Sequence, residues 1–408
     1  MPHRRGAEKW AHPVRCSTGR DGAPGSDRRP GAAPSYRGRV AGGRTGAAGR
    51  WAVVGAAVAV LLALPAVIAA LPASDSATSA ADLRRAALGS ADVAFTGYAQ
   101  SAGGLSLPVS DQLTDVADLF SDRTTMRAWY RGPGDYRVDV VTPTGETDVH
   151  ADAGGTWTWD YEAATATRTA PSPLALPTAS DLLPSALGRR LLSEARDGEL
   201  SRIGARRIAG RDALGLRLRP AEQASAVDRV DVWVDGDSGL PLQVQVFGKD
   251  AARPALDTRY LDLDLRRPPA SVTRFRPQPG TAVRRGDVAE TVLEAGRRIQ
   301  PVPLPGALAG LPRRVLDGAP PGIGLYGRGV TLLAVAPIPY RLADDLGNTL
   351  RGSPGAVEDG QGIRVAVGPL GLMLVEPAGR GPYVLTGTVT PDALATAAGQ
   401  LPGLEAQP

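Results

Sequence analysis

The stretch Arg229–Phe247 constrains the fold most. Val230, Val232 and Val234 alternate with Asp231, Trp233 and Asp235. After a break, Leu240, Leu242, Val244 and Val246 alternate with Pro241, Gln243, Gln245 and Phe247. Period two puts alternate side chains on opposite faces of a strand. The intervening Asp235-Gly-Asp-Ser-Gly239 supplies residues that tolerate positive φ or bond their own backbone. Two such runs around such a turn predict a β-hairpin in an antiparallel sheet, one face of it apolar.

The same rhythm runs through residues 82–280. Asp82–Gly89 reads as a short helix, with Asp82 as N-cap and Gly89 as its stop. Strands follow from Val93 to Gln100, over Thr125–Arg131, Tyr136–Val141, Thr147–His150 and Thr156–Tyr161, and around Ala164–Thr169. Met126, Ala128 and Tyr130 share a face that Tyr136, Val138 and Val140 continue; Trp157, Trp159 and Tyr161 share a face of their own strand. Turns every eight to twelve residues point to antiparallel sheet and away from βαβ units. Leu174–Leu192, rich in Leu and Pro, interrupts the strands as one or two short amphipathic helices. Strands resume over 204–209 and 213–219, then the hairpin, then Thr258–Leu265 and Val272–Phe275.

A 21-residue run without charge, Trp51–Leu71, precedes all this. About 20 apolar residues span a bilayer core. Residues 1–50 hold ten arginines and Lys9 against Glu8, Asp21 and Asp27, a balance of +8, so the remaining residues carry −4 of the chain's +4. Cations before the run and Asp75 and Asp82 after it place the N-terminus in the cytoplasm and residues 72–408 outside. Trp51 stands where an interfacial aromatic is expected. The competing reading is a secretion signal cleaved after Ala73; both readings export the rest of the chain. The tail, with no apolar periodicity, is expected to be disordered. The exported body is mildly acidic, which argues against a nucleic-acid partner. The single cysteine, Cys16, lies in the tail, so no intrachain disulfide forms.

Residues 281–321 read as a Pro-rich linker that includes a short helix over 288–299. Residues 322–405 return to strands, over 329–337, 363–367, 370–375 and 383–388. A terminal helix follows, with Thr390 as N-cap and Pro391 at its first position. This predicts a smaller α+β domain of three or four strands and one helix.

The order of motifs in residues 82–280 resembles the LolA/RseB (MucB)-like extracytoplasmic domains. The resemblance is carried by Trp157-x-Trp-x-Tyr161, the leucine-rich insert, Arg207-Ile-Ala-Gly210, Ala213-x-x-Leu216-Arg-Leu218, the hairpin, and Phe275-Arg-Pro-Gln-Pro-Gly280. The second domain makes the layout similar to RseB/MucB-type sigma factor regulatory proteins. The resemblance implies an α+β fold in which a large curved antiparallel sheet, a half-barrel, encloses short helices and leaves an apolar groove. Met126, Tyr130, Tyr136, Trp157, Trp159, Leu182 and Leu183 are the residues expected to line it. It also implies a non-enzymatic partner role. The protein would act on an anti-sigma factor in envelope-stress signalling, with an acyl lipid or lipoprotein as groove ligand. A lipid or lipoprotein carrier is the alternative. From the residues alone, a filled core with Trp157 and Trp159 packed inside it is equally open.

Chemistry-bearing motifs are sparse. His150 is the one histidine outside the tail. A hydrolase triad would need it, but it is expected on a solvated strand face with Glu146 and Asp148. Zinc needs several His or Cys ligands, which the sequence lacks. Gly322-Ile-Gly-Leu-Tyr-Gly327 spells a dinucleotide fingerprint but leads into a strand, so no such cofactor is expected. Asp235-Gly-Asp-Ser-Gly239 reads as a plain turn before it reads as a Ca²⁺ loop.

Overall fold

The computed structural model describes residues 52, 54–60, 73–104, 123–142, 145–171, 178–286, 304–315, 322–376 and 381–401. Residues 65–408 form one compact unit. Among the described residues no helix is long and apolar enough to cross a membrane. The expected span, Trp51–Leu71, lies largely outside them, with Ala52 and residues 54–60 helical. The expected tail and the helix over 288–299 also lie outside the described residues.

A sheet of twelve strands forms the larger part of the 65–408 unit. The first six are β1 Phe95–Gly103, β2 Arg123–Gly132, β3 Asp135–Thr142, β4 Gly145–Asp152, β5 Gly155–Asp160 and β6 Thr165–Thr169. Then come β7 Leu200–Ile208, β8 Arg211–Leu218, β9 Val227–Asp235, β10 Pro241–Gly248, β11 Leu256–Asp264 and β12 Ala282–Arg285. Their order is β12-β6-β5-β4-β3-β2-β1-β11-β10-β9-β8-β7, two meanders joined where β1 pairs with β11. Every pair is antiparallel except β12 on β6. The hairpin forms as the alternation predicts, with Val232 opposite Val244 and Val230 opposite Val246. Val230, Val232, Val234, Leu240, Leu242 and Val244 are fully buried. At roughly 1.5–3 kcal/mol for each such side chain, this face alone is a large part of the drive to fold.

The face opposite the valines is not the solvated one that alternation suggests. Asp231 and Asp235 are buried there. Arg217 grips Asp231 through Nε and Nη2 at 2.7 and 2.8 Å, and Arg211 grips Asp235 at 2.8 and 3.0 Å. Planar guanidinium forks match carboxylates bidentately and bring their own hydrogen bonds, so these charges can leave water. Asp235 also accepts from the backbone N–H of Ser238 at 3.0 Å, so the 235–239 segment is an ordinary turn with Gly239 at φ +72.

Helices cover the valine face. In α1, Ala80–Gly89, Leu83 and Ala87 are buried. Its N-cap is Ser79 rather than Asp82: Ser79 Oγ accepts from the Asp82 N–H at 3.1 Å and donates to the Asp82 carboxylate at 2.7 Å. Asp82 therefore closes the first turn from inside, favoured by the positive helix end. The leucine-rich insert forms a 3-10 turn, Ala179–Leu182, and α2, Pro184–Ser193, with Pro184 at the first turn; residues 172–177 lie outside the described residues. Residues 272–275, expected as a strand, instead contain the end of α3, a single helical turn at Ala270–Thr273, and the two residues after it. Four residues are too few for periodicity to distinguish a strand from a helical turn.

The second sheet has order β15-β16-β20-β19-β18-β17. The strands are β15 Gly324–Arg328, β16 Thr331–Pro337, β17 Val357–Asp359, β18 Gly362–Val367, β19 Leu370–Val375 and β20 Tyr383–Gly387. A small hairpin, β13 Ala307–Leu308 with β14 Leu311–Pro312, buries Leu308 and Leu311 against it. Helices α4, Tyr340–Arg351, and α5, Pro391–Gly399, pack with separate sets of core residues. Ile363, Val365 and Leu374 lie with α4, and Met373, Val375 and Leu385 with α5. That is six strands and two helices where three or four strands and one helix were expected. The short exposed β17 has no apolar alternation to announce it, and α4 starts after Pro339 without a capping side chain. The predicted cap of α5 is present: Thr390 Oγ1 accepts from the Ala393 N–H at 3.2 Å.

The two sheets are tied together. The Ala226 N–H donates to Thr388 O and the Thr390 N–H to Ala224 O, both at 2.9 Å, around a Ser225–Val389 bridge. Val330, in the β15–β16 turn, joins the core of Leu192, Leu216 and Leu218 beneath the first sheet.

Candidate functional site

The inner face of β1–β3 carries the expected apolar row, and most of it is filled. Met126 and Ala128 have no exposed surface, and Leu182 and Leu183 keep only 2% of theirs. With Phe95, Leu242 and Tyr260 they form one packed cluster. Thr258 donates to Leu182 O at 2.7 Å, and the Ser185 and Tyr260 hydroxyls meet at 2.8 Å. The insert is thus fastened into the sheet by polar contacts that are satisfied inside the core.

A cleft of about 220 Å³ remains where the insert leaves the sheet. Its walls include Tyr130, Tyr136, Leu183, Ala186, Asp181 and Arg189. Phe95, Tyr130 and Tyr136 form a stack, with centroids 5.0 and 5.9 Å apart. Tyr130 is held by its hydroxyl on Ala91 O at 2.8 Å. Burial raises the pKa of both Tyr130 and Tyr136, so both remain neutral phenols. Asp181 is committed to its own turn, accepting from the Thr178 N–H at 2.8 Å and Thr178 Oγ1 at 3.1 Å. The Arg189 guanidinium lies 5.8 Å from the Tyr130 ring centroid, a cation at the rim of an aromatic wall. The cleft therefore offers an apolar floor, two phenol edges, the Arg189 cation and the turn-bound Asp181 carboxylate.

The structure brings Tyr130, Tyr136 and Leu183 together at the cleft and places Met126 and Leu182 in the packed core behind it. Trp157 and Trp159 are on the other face. Tyr130 faces Tyr136 across β2 and β3, while Arg137, the next residue on β3, faces His150, which faces Trp157. Both tryptophans are half-buried against Phe275, at 5.5 and 6.2 Å between centroids. Period two makes every such assignment hang on strand parity alone, which counting from separate turns could not fix. Nothing local in the sequence marks Arg189; the Asp181–Arg189 spacing gives the rim only through the bend at Leu183-Pro184.

His150 corrects the expectation of a solvated histidine. It is 4% exposed, lies 5.0 Å from the Phe275 ring and contacts Thr273 O through Nδ1 at 2.9 Å. Burial lowers its pKa, so the ring is neutral. Thr273 and Phe275 reach it only because α3 folds back over β2 and β3. Beside it, Asp148 has its carboxyl pushed up to about 7, by burial first and by neighbouring Asp139 second.

No family model matches the chain, and no curated protein matches it. Among solved structures the chain is similar to the MucA/MucB complex of Pseudomonas aeruginosa at 16% identity and TM-score 0.45, covering 78% of this chain and 96% of that one. MucB in complex with MucA(peri) gives 17% and 0.43 over 78% and 97%. A LolA superfamily protein from Nitrosomonas europaea gives 14% and 0.23 over 49% and 99%. These neighbours are of the LolA/RseB (MucB)-like group that the motif order of residues 82–280 resembles.

Proposed function

We propose that this chain is an extracytoplasmic binding protein of RseB/MucB-like type, anchored by residues 51–71, whose cleft takes an apolar side chain from an anti-sigma factor in envelope-stress signalling. The observation that carries the reading is the cleft itself: Tyr130, Tyr136 and Leu183 around a small hollow, with Arg189 at its rim. At about 220 Å³ it is below the roughly 300–1,000 Å³ of ordinary small-molecule sites. Among the described residues, the rest of the inner face is filled by core side chains. A whole acyl chain does not fit such a space, whereas one anchoring side chain of a partner does. A single anchor beside a cation matches a peptide with an apolar residue next to an acidic one. The MucB neighbour was solved with MucA, a pairing of the same kind.

The test uses the full chain, purified from solubilised membranes of its own cells. The wild type is expected to retain a single-pass anti-sigma protein, and Tyr136→Ala with Arg189→Glu to lose it while still unfolding in a cooperative thermal transition above the assay temperature. Equal retention by the double variant would remove the cleft from the interaction. The carrier reading predicts a different result, acyl lipid leaving with the wild-type protein in native mass spectrometry.

A further inference from the structure

Residues 266–286 hold six arginines and no acidic residue. Residues 51–408 carry −4 in all, so with +6 in this segment the remainder sums to −10. All six arginines are exposed. Arg266 pairs with Asp264, whereas among the described residues Arg274, Arg276, Arg284 and Arg285 close no salt bridge. The binding reading uses none of them.

The backbone beneath these charges is fastened to the first sheet. Arg131 donates to Pro268 O, and Thr273 Oγ1 to Asp135 at 2.5 Å. Thr273 O meets His150 Nδ1 at 2.9 Å, and Phe275 packs on Trp157 and Trp159. The Gly286 N–H donates to Arg168 O at 2.9 Å, and β12 pairs with β6. Phe275 points to the sheet, so extended backbone turns Arg274 and Arg276 away from it; Pro277 favours an extended Arg276. On β12, Arg285 stands beside Arg168 and Val283 beside Ala166, on the face of Trp157 and Trp159. Val283 is 56% exposed there. Three unpaired guanidiniums thus project from a pinned backbone around half-buried aromatics and one bare valine.

We propose that this strip, through Arg274, Arg276, Val283 and Arg285, rests on the anionic headgroups of the bilayer that holds residues 51–71. The inference rests on the anchored reading above and is independent of the cleft. Charge complementarity gives the sign of the occupant, and the length of free chain gives its place. Arg202 of β7 reaches Asp75 Oδ1 at 2.5 Å, Ser76 O at 3.2 Å and Thr78 O at 2.5 Å, so residues 75–78 are pinned to the sheet. From Leu71, where the expected span ends, to Asp75 is at most about 14 Å of chain. The pinned segment therefore stays close to the headgroups. Guanidinium forks match phosphate oxygens bidentately, and tryptophan suits the membrane interface. β7 and β12 are at opposite ends of the twelve-strand order, so chain and strip hold the sheet at two separate places. Two attachments select which side of the sheet meets the membrane, which a single tether cannot do. Each arginine near an anionic surface strengthens attachment about fivefold, and three do so roughly a hundredfold.

The test places the full-length protein in nanodiscs of phosphatidylcholine alone, or of an equal mixture with phosphatidylglycerol, and follows amide exchange by mass spectrometry. Co-elution with both kinds of disc reports the anchor. Exchange over residues 274–285 is expected to slow about tenfold in the phosphatidylglycerol discs only, and to recover in high salt. Arg274→Glu with Arg276→Glu and Arg285→Glu is expected to abolish the slowing at an unchanged melting temperature, because these side chains are exposed and unpaired. Equal exchange in the two discs, or slowing that survives in the variant, overturns the strip and leaves the anchor standing. Slowing produced by inorganic phosphate in phosphatidylcholine discs overturns the lipid surface in favour of a phosphate site. Slowing found only in native membranes overturns it in favour of an acidic protein. Protein that co-elutes with phosphatidylglycerol discs alone supports the strip and removes the anchor; protein that co-elutes with neither removes both.

Discussion

Gly188 sets the distance between α2 and the sheet. A Cβ built there meets Pro241 Cβ at 2.7 Å and Cγ at 2.9 Å, with Val232 Cγ1 at 3.4 Å. Alanine at a helix interior normally gains up to about 1 kcal/mol over glycine. Forcing a methyl into a filled core costs about 1–3 kcal/mol, and a proline ring cannot swing aside. Gly188→Ala is therefore expected to lower the melting temperature and to shift α2, weakening partner retention through Arg189; an unchanged or higher melting temperature would show that the helix retreats freely. Gly215 has the same role on the outer face, where a Cβ would meet Trp233 Cζ3 at 2.7 Å. Its absence lets Arg206 lie 3.6 Å from the Trp233 ring centroid. Both glycines sit inside regular elements, where sequence alone marks them only as weak positions. Their purpose is visible only when the opposing side chain is in place.

Between elements, the strongest polar connection is Arg328 of β15 with Glu199. The two nitrogens of Arg328 reach the Glu199 carboxylate at 3.0 and 2.6 Å, and Glu222 adds a contact at 2.7 Å. Glu194 is held in parallel, by Arg314 at 2.9 and 2.7 Å and by the Gly329 N–H at 2.7 Å. Desolvation pushes the Glu199 pKa up, but Arg328 and the N–H groups of Arg196 and Ala221 outweigh it and hold the group at about 2, against 4.5 ordinarily. Its folded pKa is depressed, so its stabilisation is complete above about 4.5 and disappears as pH falls toward 2. A melting-temperature series from pH 6 to 2 is expected to fall across that window, and Glu199→Gln to flatten the fall. Arg328→Met leaves a buried carboxylate unpaired and is expected to cost about 3–5 kcal/mol in denaturant titration; a loss under 1 kcal/mol would mean that water reaches Glu199 instead. The segments that carry these residues were not marked by the sequence: β15 and the 3-10 turn Asp197–Glu199 are too short for a clear alternation, and Arg314 falls in the expected linker. The pairings were hidden too, because Glu199 and Arg328 are far apart in sequence and nothing local to either records its partner.

Across residues 65–408 the two sheets share backbone hydrogen bonds at 224–226 and 388–390, two ion clusters, and Val330 inserted into the first sheet's core. Calorimetry of the folded chain is expected to give a single transition for residues 65–408; two transitions more than about ten degrees apart would show that these ties are marginal beside each sheet's own core. The sequence by itself determined which residues extend, where turns fall, which side chains alternate toward an apolar layer, and that one uncharged run precedes an acidic body. Each of those follows from propensity and periodicity within a few residues of chain. Only the tertiary structure decided that the layer is mostly filled, that the cleft keeps Tyr130, Tyr136 and Leu183 but not Trp157 and Trp159, and that His150 and Asp148 are buried. Those outcomes depend on strand parity across a twelve-strand sheet and on segments folding back over it, which are contacts between residues that no local pattern connects.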